Sequence, residues 1–346
     1  MKFRNIALSL VAVAALGLSG CGGGSSDDVA EETQTETSTA PQGEYTGAAY
    51  VGDFAEFSIS GNTLSYELSG EVLGDLSGEL TIENVYGPIW KDSNSDVYLF
   101  LTGNLGMAKV PTDSGSVYVV GLQQSETLSA DKVAGKNYLY VSVRNNTGEI
   151  DGYMITFHED GTYDAVSAAG DSDSGCWKIL EGGAISHGVA KSGESDCSDV
   201  NDATADYRIT FKPGTSRGGI VVDYADGSGF GIGVEQKALT DADVASGTFY
   251  SYYYQPNGDD EGFAKVTIEN GTYSWAECNV ATGTCTPLSS GTIALNQMCD
   301  GAELDGVACA TDSDTGAKYN LFVDTEDGYY ISVGTTTNTV EIGSNK

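Results

Sequence analysis

The sequence predicts an all-β fold of tandem antiparallel modules, either β-sandwiches or small barrels, that follow a disordered tether. Short runs rich in Tyr, Val, Thr and Ile recur at regular spacing with Gly and Asp between them, which is typical of sandwiches and barrels. Two stretches of the chain also resemble each other in step, as repeated modules do. No segment sustains a helical period over three turns.

Residues 1–20 have the parts of an export signal. Lys2 and Arg4 give a positively charged start, and the apolar run 6–18 is too short for a membrane span, which needs about 20 apolar residues. Such a signal directs the chain out of the cytoplasm and is then removed, so it is excluded from the mature fold.

The segment Leu18-Ser19-Gly20-Cys21 resembles the lipobox of bacterial lipoproteins. The resemblance covers residues 1–21 alone. It implies that the chain is cut before Cys21, that the Cys21 thiol carries a diacylglycerol, and that the new α-amino group is acylated. Several acyl chains anchor a protein far more firmly than one. The alternative is an ordinary secretory signal in which Cys21 is incidental.

The residue after the cysteine bears on the membrane that would be reached. In some Gram-negative lipoproteins an aspartate there retains the protein in the inner membrane, and this sequence has Gly22 instead. The resemblance therefore implies an outer-membrane lipoprotein whose folded part faces the periplasm or the cell surface.

Residues 21–42 are predicted to form a flexible tether. The segment has no aromatic residue and almost no large apolar one, so it cannot bury enough surface to offset the entropy lost on ordering. Its Asp and Glu residues repel each other and extend the chain. We expect this tether to hold the folded part away from the membrane.

The remaining residues divide into three predicted β-modules, 43–127, 128–238 and 239–346. In the second and third, an opening strand is followed by a strand, a tight turn and another strand. Asp160-Gly161 and Asn270-Gly271 supply the positive φ angles that two-residue hairpin turns need. The repeat predicts that Gly161 and Gly271 lie in equivalent turns.

The ends of the modules and the linkers between them are also predicted. Thr240 and Asp243 have the spacing of a capping box, so the acidic stretches 128–134 and 239–246 are expected to form single helical turns. Each module is expected to end in a strand pair: 98–102 with 117–121, 207–211 with 219–224, and 319–323 with 329–333.

The charge of the chain limits its partners. The formal net charge is −34 at pH 7, which excludes nucleic acid because phosphate binding needs a basic face. Anionic lipid headgroups would be repelled as well. The excess of acid favours solubility and resistance to association. Binding of cations or of a basic partner is the other interpretation.

The cysteines indicate an oxidising compartment. Without Cys21 there is an even number, and no C-x-x-C or C-x-x-C-H motif occurs, so structural zinc and covalent haem are not indicated. We expect three disulfides. Pairing between sequence neighbours is one of fifteen possible connectivities, and it would join Cys176 to Cys197, Cys278 to Cys285, and Cys299 to Cys309.

Few residues suit catalysis. Residues 214–218 fit the G-x-S-x-G pattern of serine hydrolases, but strand-like runs stand on both sides, so we interpret them as a hairpin turn rather than a site at Ser216. His158 and His187 are far apart in sequence and are expected to be surface residues. Acids are so common that no carboxylate pair for glycoside hydrolysis stands out.

Acidic loops and tyrosines leave further possibilities open. Loops that begin at Asp92, Asp171 and Asp312 alternate oxygen-bearing side chains, which suits either weak Ca²⁺ sites or solvated turns. Three consecutive tyrosines, 252–254, must alternate between the faces of a strand. At least one of them is therefore expected to face water, where its ring could stack on a sugar or contact a protein partner. Packing within the strand, with the tyrosyl hydroxyls at the rim, is the favoured alternative.

We therefore expect a membrane-anchored, non-enzymatic exported lipoprotein that binds a protein or glycan partner or forms a surface coat. No cofactor and no metal site are expected. An envelope glycan hydrolase with paired carboxylates and a small-ligand carrier of lipocalin-like shape are the alternatives. A carrier requires a hollow barrel lined by apolar residues, whereas a hydrolase requires converging carboxylates in a cleft.

Overall fold

The computed structural model describes residues 39–345 except 113–114, 125–127, 146, 181–185, 215–216, 257–259 and 325–327. Within these residues the chain forms 24 strands, and the only helices are three short 3₁₀ turns. The predicted all-β fold is confirmed. The strands form three consecutive closed barrels of eight strands each, so the barrel alternative holds and the sandwich alternative does not.

The strands follow the chain in three sets of eight. Barrel 1 contains β1 (Gly43–Ala49), β2 (Phe54–Ser60), β3 (Thr63–Ser69), β4 (Leu76–Tyr86), β5 (Ile89–Asp92), β6 (Tyr98–Leu101), β7 (Leu105–Thr112) and β8 (Gly115–Gln124). Barrel 2 contains β9 (Lys136–Arg144), β10 (Ile150–Phe157), β11 (Thr162–Ser167), β12 (Ser172–Leu180), β13 (His187–Ser192), β14 (Tyr207–Lys212), β15 (Gly219–Tyr224) and β16 (Gly229–Glu235). Barrel 3 contains β17 (Ser246–Tyr254), β18 (Glu261–Glu269), β19 (Thr272–Asn279), β20 (Thr284–Gln297), β21 (Glu303–Asp312), β22 (Lys318–Asp324), β23 (Tyr329–Gly334) and β24 (Val340–Ser344).

Each barrel is an antiparallel meander. Every strand pairs with its neighbours in sequence, and the last strand pairs with the first: β8 with β1, β16 with β9, and β24 with β17. Closure removes the exposed strand edges on which other chains could pair. With eight strands, the interior is just wide enough for side chains to fill it or for one small ligand.

A short turn with a positive-φ glycine joins the second and third strands in all three barrels. It has two residues in barrels 1 and 3 but four, 158–161, in barrel 2, so the two-residue turn predicted at Asp160-Gly161 is wrong. These turns contain Gly61, Gly161 and Gly271, whose φ angles are 60°, 86° and 74°. These angles are accessible to glycine at little cost, which explains the choice of residue. Gly161 and Gly271 thus occupy corresponding turns.

Two of the three predicted closing strand pairs are present. β14 pairs with β15, and β22 pairs with β23. The pair predicted for the first module is wrong, because β7 lies between residues 98–102 and residues 117–121 and pairs with both β6 and β8. The sequence 105–112 contains Gly106 and Pro111, both disfavoured in strands, which hid this strand.

The predicted helical linkers form short 3₁₀ turns at Ala130–Lys132 and Asp241–Val244. In the second, Thr240 and Asp243 form the expected capping box. The end of the predicted tether differs from expectation, because Ala40 is buried and the Gln42 side chain accepts a hydrogen bond from the amide of Gly61 at 2.6 Å. Residues 39–42 therefore lie against barrel 1.

Each barrel has an apolar interior, and a fourth apolar cluster lies between the barrels. Strand β11 alternates buried and more exposed residues, as expected when only one face is covered, whereas every residue of β15 is buried. The shared cluster takes outward-facing residues from all three barrels, including Phe100, Ile232 and Ile342. The barrels are therefore packed on one another through their outer faces.

Polar contacts also join the barrels. Thr210 of barrel 2 donates to Thr46 of barrel 1 over 3.1 Å. The buried Arg217 of barrel 2 donates to the carbonyl oxygen of Val323 in barrel 3. Lys109 of barrel 1 forms an ion pair with Glu261 of barrel 3.

Candidate functional site

The six predicted disulfide cysteines form three bonds between nearest neighbours in sequence: Cys176–Cys197, Cys278–Cys285 and Cys299–Cys309. The first joins β12 to a 3₁₀ turn of barrel 2, and the other two lie in barrel 3. The expected disulfides are thus present, and they fix loops and strands. Cys21, the predicted lipid attachment site, lies outside the described residues.

The residues considered for catalysis are dispersed. His158 follows β10 and its Nε2 lies 2.8 Å from Asp164, while His187 begins β13 and its Nε2 lies 2.7 Å from Asp202. Ser216 lies outside the described residues. The strands before and after it pair with each other, and Gly219 begins a strand where a serine-hydrolase motif requires a helix.

The first aspartates of two acidic loops accept hydrogen bonds from nearby protein groups. The buried Asp92 accepts hydrogen bonds from the amide of Thr81 at 3.0 Å and from the hydroxyl of Ser95 at 2.7 Å. Asp312 accepts from the amide of Thr315 at 2.6 Å. Carboxylates held in this way stabilise the loop itself.

In the third loop, Asp173 accepts hydrogen bonds from the hydroxyls of Tyr163, at 2.8 Å, and Tyr207, at 3.3 Å. Over the part of the chain that the structure describes, no group of three or more His, Cys, Asp or Glu side chains is placed to hold a metal ion. The geometry of the acidic loops therefore accounts for their aspartates as turn and strand contacts.

The expectation that one of three consecutive tyrosines faces water is wrong. Tyr252, Tyr253 and Tyr254 are only 8%, 7% and 2% exposed. The rings of Tyr252 and Tyr254 face outward from barrel 3, but they pack against Tyr118 of barrel 1 at centroid distances of 5.7 and 5.1 Å. Tyr253 lines a cavity in barrel 3. The outer face of the strand is covered because the barrels pack on one another, and the inner face is covered by the interior of barrel 3.

The interior of barrel 3 is hollow. It holds a cavity of about 280 Å³, which we call the barrel 3 chamber. Every strand of the barrel contributes to its wall. The wall includes five aromatic side chains and six large or small aliphatic ones: Tyr253, Tyr273, Trp275, Tyr319, Tyr330, Val266, Ile268, Leu288, Ile293, Ala310 and Leu321.

A single buried carboxylate, that of Glu341 on β24, lies in the chamber wall. The residue is 9% exposed. Its Oε1 accepts hydrogen bonds from the hydroxyl of Ser251 at 2.5 Å and from the indole Nε1 of Trp275 at 3.0 Å. Burial raises the pKa of Glu341 above its ordinary value, and the hydrogen bonds from Ser251 and Trp275, together with the nearby Tyr330 hydroxyl, oppose that rise.

Two tyrosine hydroxyls in the wall are buried without well-formed hydrogen bonds to the described residues. Tyr330 Oη lies beside Glu341, and Tyr273 Oη lies near Ser289. A buried hydroxyl without a partner is costly. Polar groups of this kind within an apolar cavity are suited to orient a ligand.

The chamber opens toward solvent at a rim of more exposed residues. Leu288 is 57% exposed, and Asp260 and Thr337 are also exposed. A large exposed apolar side chain at the mouth of an apolar cavity offers a first contact for an apolar ligand. The rim therefore gives the chamber a route from solvent.

A second cavity lies between barrels 1 and 3. This cleft has a volume of about 510 Å³ and is lined by five aromatic rings and three carboxylates: Tyr98, Phe100, Tyr118, Tyr252, Phe263, Asp96, Glu261 and Glu277. Lys109 Nζ lies 2.6 Å from Glu261 Oε1, and the hydroxyl of Tyr252 donates to Glu261 Oε2 at 2.9 Å. This ion pair joins barrel 1 to barrel 3 at the cleft.

Sequence reasoning did not identify Glu341. Acids are so frequent that none stood out, and the alternation Val340-Glu341-Ile342 suggests that the apolar residues face inward. The structure reverses this: Val340 and Ile342 lie in the cluster between barrels, and Glu341 faces the chamber. A useful signal was the position of one acid within an otherwise apolar strand.

No helix among the described residues is long and apolar enough to cross a membrane.

Neither a protein-family model nor a characterised protein matches the sequence. Three solved structures of transferrin binding protein B are similar. The chain is 12% identical to the isotype 1 protein from serogroup B Neisseria meningitidis, over 85% of this chain and 66% of that chain, with a TM-score of 0.26. For a double mutant from Haemophilus parasuis Hp5 the identity is 7%, the coverage 88% and 76%, and the TM-score 0.25. For the intact protein with its N and C lobes the identity is 9%, the coverage is 89% of this chain and 78% of that chain, and the TM-score is 0.23. Likenesses this weak carry no argument about function.

Proposed function

We propose that this chain is a non-enzymatic, lipid-anchored binding protein of the outer membrane that holds a small ligand inside barrel 3. The observation that carries the proposal is the barrel 3 chamber, a cavity of about 280 Å³ that opens to solvent at one rim and has an aromatic and aliphatic wall with one buried carboxylate. Ligand sites are typically concave, mostly apolar and provided with a few placed polar groups. Of the functions considered from the sequence, this geometry favours the small-ligand carrier.

Binding is favoured over catalysis by what the chamber contains. Its wall has one buried acid, Glu341, whereas glycoside hydrolysis uses a pair of carboxylates on opposite sides of the bond that is cut. The cleft has more than one carboxylate, but that of Glu261 is engaged by Lys109 and Tyr252. A released reducing end after incubation with soluble peptidoglycan would contradict the proposal.

Ligand binding can be tested with 1-aminoanthracene, a flat fluorophore whose emission rises in apolar surroundings. We expect saturable enhancement with one site per chain. Ala310→Trp should abolish it by filling the chamber, and Thr339→Trp should weaken it by narrowing the mouth. Ala203→Trp, on an exposed loop of barrel 2, is the matched control and should bind as the native chain does. Equal enhancement in all four proteins would overturn the proposal.

The lipid anchor is tested separately. Mass spectrometry of the N-terminus from native membranes should find a diacylglyceryl group on Cys21 and an acylated α-amino group. Cys21→Ala should leave uncut precursor or release the chain from membranes. Mature protein with an unmodified Cys21 would refute the anchor while leaving the ligand proposal untouched.

The cleft supports a second candidate, a glycan partner. Sugar rings stack on aromatic side chains, and carboxylates accept hydrogen bonds from their hydroxyls. Tyr98 and Glu261 line the cleft, which is nearly twice the volume of the chamber. Calorimetric titration with soluble peptidoglycan fragments should show binding that Tyr98→Ala weakens. No heat of binding at millimolar concentration would remove this candidate.

A further inference from the structure

The barrel 3 chamber has a buried acid but no basic side chain in its described wall. The described residues that line it include the carboxylates of Glu341 and Asp260 and no lysine, arginine or histidine. The hydrogen bonds to Glu341 come from neutral groups, those of Ser251 and Trp275. A carboxylate removed from water is costly unless a cation or several hydrogen bonds compensate.

Barrel 2 provides an internal comparison. A smaller cavity of about 190 Å³ in that barrel is also lined by carboxylates, those of Asp171 and Asp173, but Arg144 shares the same cavity. The Arg144 guanidinium lies 4.4 Å from the centre of the Tyr224 ring. Barrel 2 thus carries its own cation beside its acids and aromatic rings, and the wall of the barrel 3 chamber does not.

The aromatic side chains complete the argument. Five of them line the chamber, and two, Tyr253 and Trp275, pack with ring centres 5.5 Å apart at an interplanar angle of 63°. Ring faces attract cations, most strongly where water is excluded. The hydroxyls of Tyr273 and Tyr330 lack well-formed hydrogen bonds, so each can accept one from an N–H group.

We propose that the barrel 3 chamber selects organic cations, specifically protonated primary amines with an apolar or aromatic body. The ammonium group would lie against Glu341 and the tyrosine hydroxyls, and the apolar body would fill the aliphatic part of the chamber. This inference rests on the proposed ligand-binding function and names its ligand class.

Size agrees with this class. A cavity of roughly 150 Å³ in a protein core is sufficient to bind benzene, and the chamber measures about 280 Å³. A phenyl ring with a two-carbon chain and an ammonium group therefore fits. The net charge of −34 also raises the local concentration of cations around the chain.

The test compares three probes of nearly equal size: 2-phenylethylamine, 2-phenylethanol and 3-phenylpropionate. Displacement of bound 1-aminoanthracene measures the affinity of all three in one assay. We expect the amine to bind about tenfold or more tightly than the alcohol, with the carboxylate weakest, because only the amine is a cation. Titrations in low and high NaCl separate this local preference from attraction to the overall charge.

Variants locate the selectivity. Glu341→Gln keeps an acceptor for Ser251 and Trp275, so it should fold, retain 2-phenylethanol binding and lose the tenfold preference for the amine. Glu269→Gln, an exposed acid on the same barrel, is the matched control and should keep the preference. Trp275→Phe is a second variant that preserves a ring and leaves Glu341 charged, so it should retain part of the preference.

The outcomes distinguish the two proposals. Equal affinity of the native protein for amine and alcohol, with 1-aminoanthracene still bound, overturns the amine class and leaves the chamber as a ligand site. An amine preference that survives Glu341→Gln overturns the assigned role of Glu341. Absence of binding by every probe, including the fluorophore, overturns the proposed function itself.

Discussion

Barrels 1 and 3 have the same eight-strand meander, but the interior of barrel 1 is packed and that of barrel 3 is hollow. The described interior of barrel 1 is packed with side chains around a void of about 10 Å³, whereas barrel 3 holds a cavity of about 280 Å³. Strand number and order are equal in the two. The comparison shows that the topology permits a cavity and that the side chains decide whether one exists.

The fifth strands of the two barrels show how this happens. In barrel 1 that strand places Trp90 in the interior, and the stacked rings of Tyr45 and Phe57, 4.8 Å apart, fill more of the space. In barrel 3 it places Ala308 and Ala310 there. Small residues cannot reach the barrel axis, so the space that indole and phenol rings occupy in barrel 1 stays open in barrel 3.

The largest expected effect comes from hollowing barrel 1. Trp90→Ala should lower the free energy of unfolding by about 3–5 kcal/mol, because it removes a fully buried ring and leaves a cavity. Trp275→Ala should cost about half as much, since that ring already borders open space. Urea denaturation of both variants measures the difference, and equal losses would contradict the contrast between a filled and a hollow barrel.

Another buried carboxylate, that of Asp223, lies between barrels rather than inside one. Asp223 of barrel 2 has both oxygens buried without a hydrogen bond to the described residues, and Arg208 Nη1 is 3.9 Å away. Burial raises the pKa of Asp223 to about 7, and Arg208 opposes the rise. The folded protein therefore retains this proton up to about pH 7, whereas the unfolded chain loses it near pH 4.

It follows that stability from Asp223 is complete below about pH 4 and is lost as the pH rises to 7. Asp223→Asn mimics the protonated form and should remove this loss, with a gain at pH 8 on the order of 4 kcal/mol at most and little change at pH 4. Denaturation at both pH values checks the prediction. The exposed Glu159→Gln is the control, and an equal effect of Asp223→Asn at both pH values would contradict it.

The barrels also differ in their disulfides. Barrels 2 and 3 contain them, whereas the strands of barrel 1 contain no cysteine. Replacing Cys176 and Cys197 together by Ser should lower the free energy of unfolding by about 3 kcal/mol, and replacing Cys278 and Cys285 by somewhat less, since the closed loop is shorter. Hydrogen exchange should show faster opening in the affected barrel and unchanged protection in barrel 1. Equal loss of protection in all three barrels would mean that they unfold as one unit.

The smallest expected effect concerns calcium. Because Asp92, Asp173 and Asp312 are engaged by their own loops and strands, millimolar CaCl₂ should raise the melting temperature no more than NaCl of equal ionic strength does. Salt alone relieves repulsion among the acids. A larger rise in melting temperature with Ca²⁺ would contradict this prediction. If the double substitution Asp312→Asn and Asp314→Asn removed the extra rise, the loop at Asp312 would be a weak Ca²⁺ site.

The strand-rich composition, the glycine turns and the cysteine spacing are local features, and they predicted the all-β fold, the hairpins at Gly161 and Gly271, and the disulfides. Local patterns could not predict that three barrels would pack through their outer faces. That packing buries Tyr252 and Tyr254 from the outside, and for this reason the prediction of an exposed tyrosine was wrong.

The same packing explains why the candidate site escaped prediction. In an isolated barrel, alternation places apolar residues inside and polar ones in water. Here Val340 and Ile342 face neighbouring barrels while Glu341 faces the chamber. The sequence by itself determined the strands, the turns and the pairs of cysteines, because these depend on residues near one another in the chain. Only the tertiary structure decided which barrel is hollow and which acid lies within it, because both depend on side chains that closure and packing bring together from distant strands.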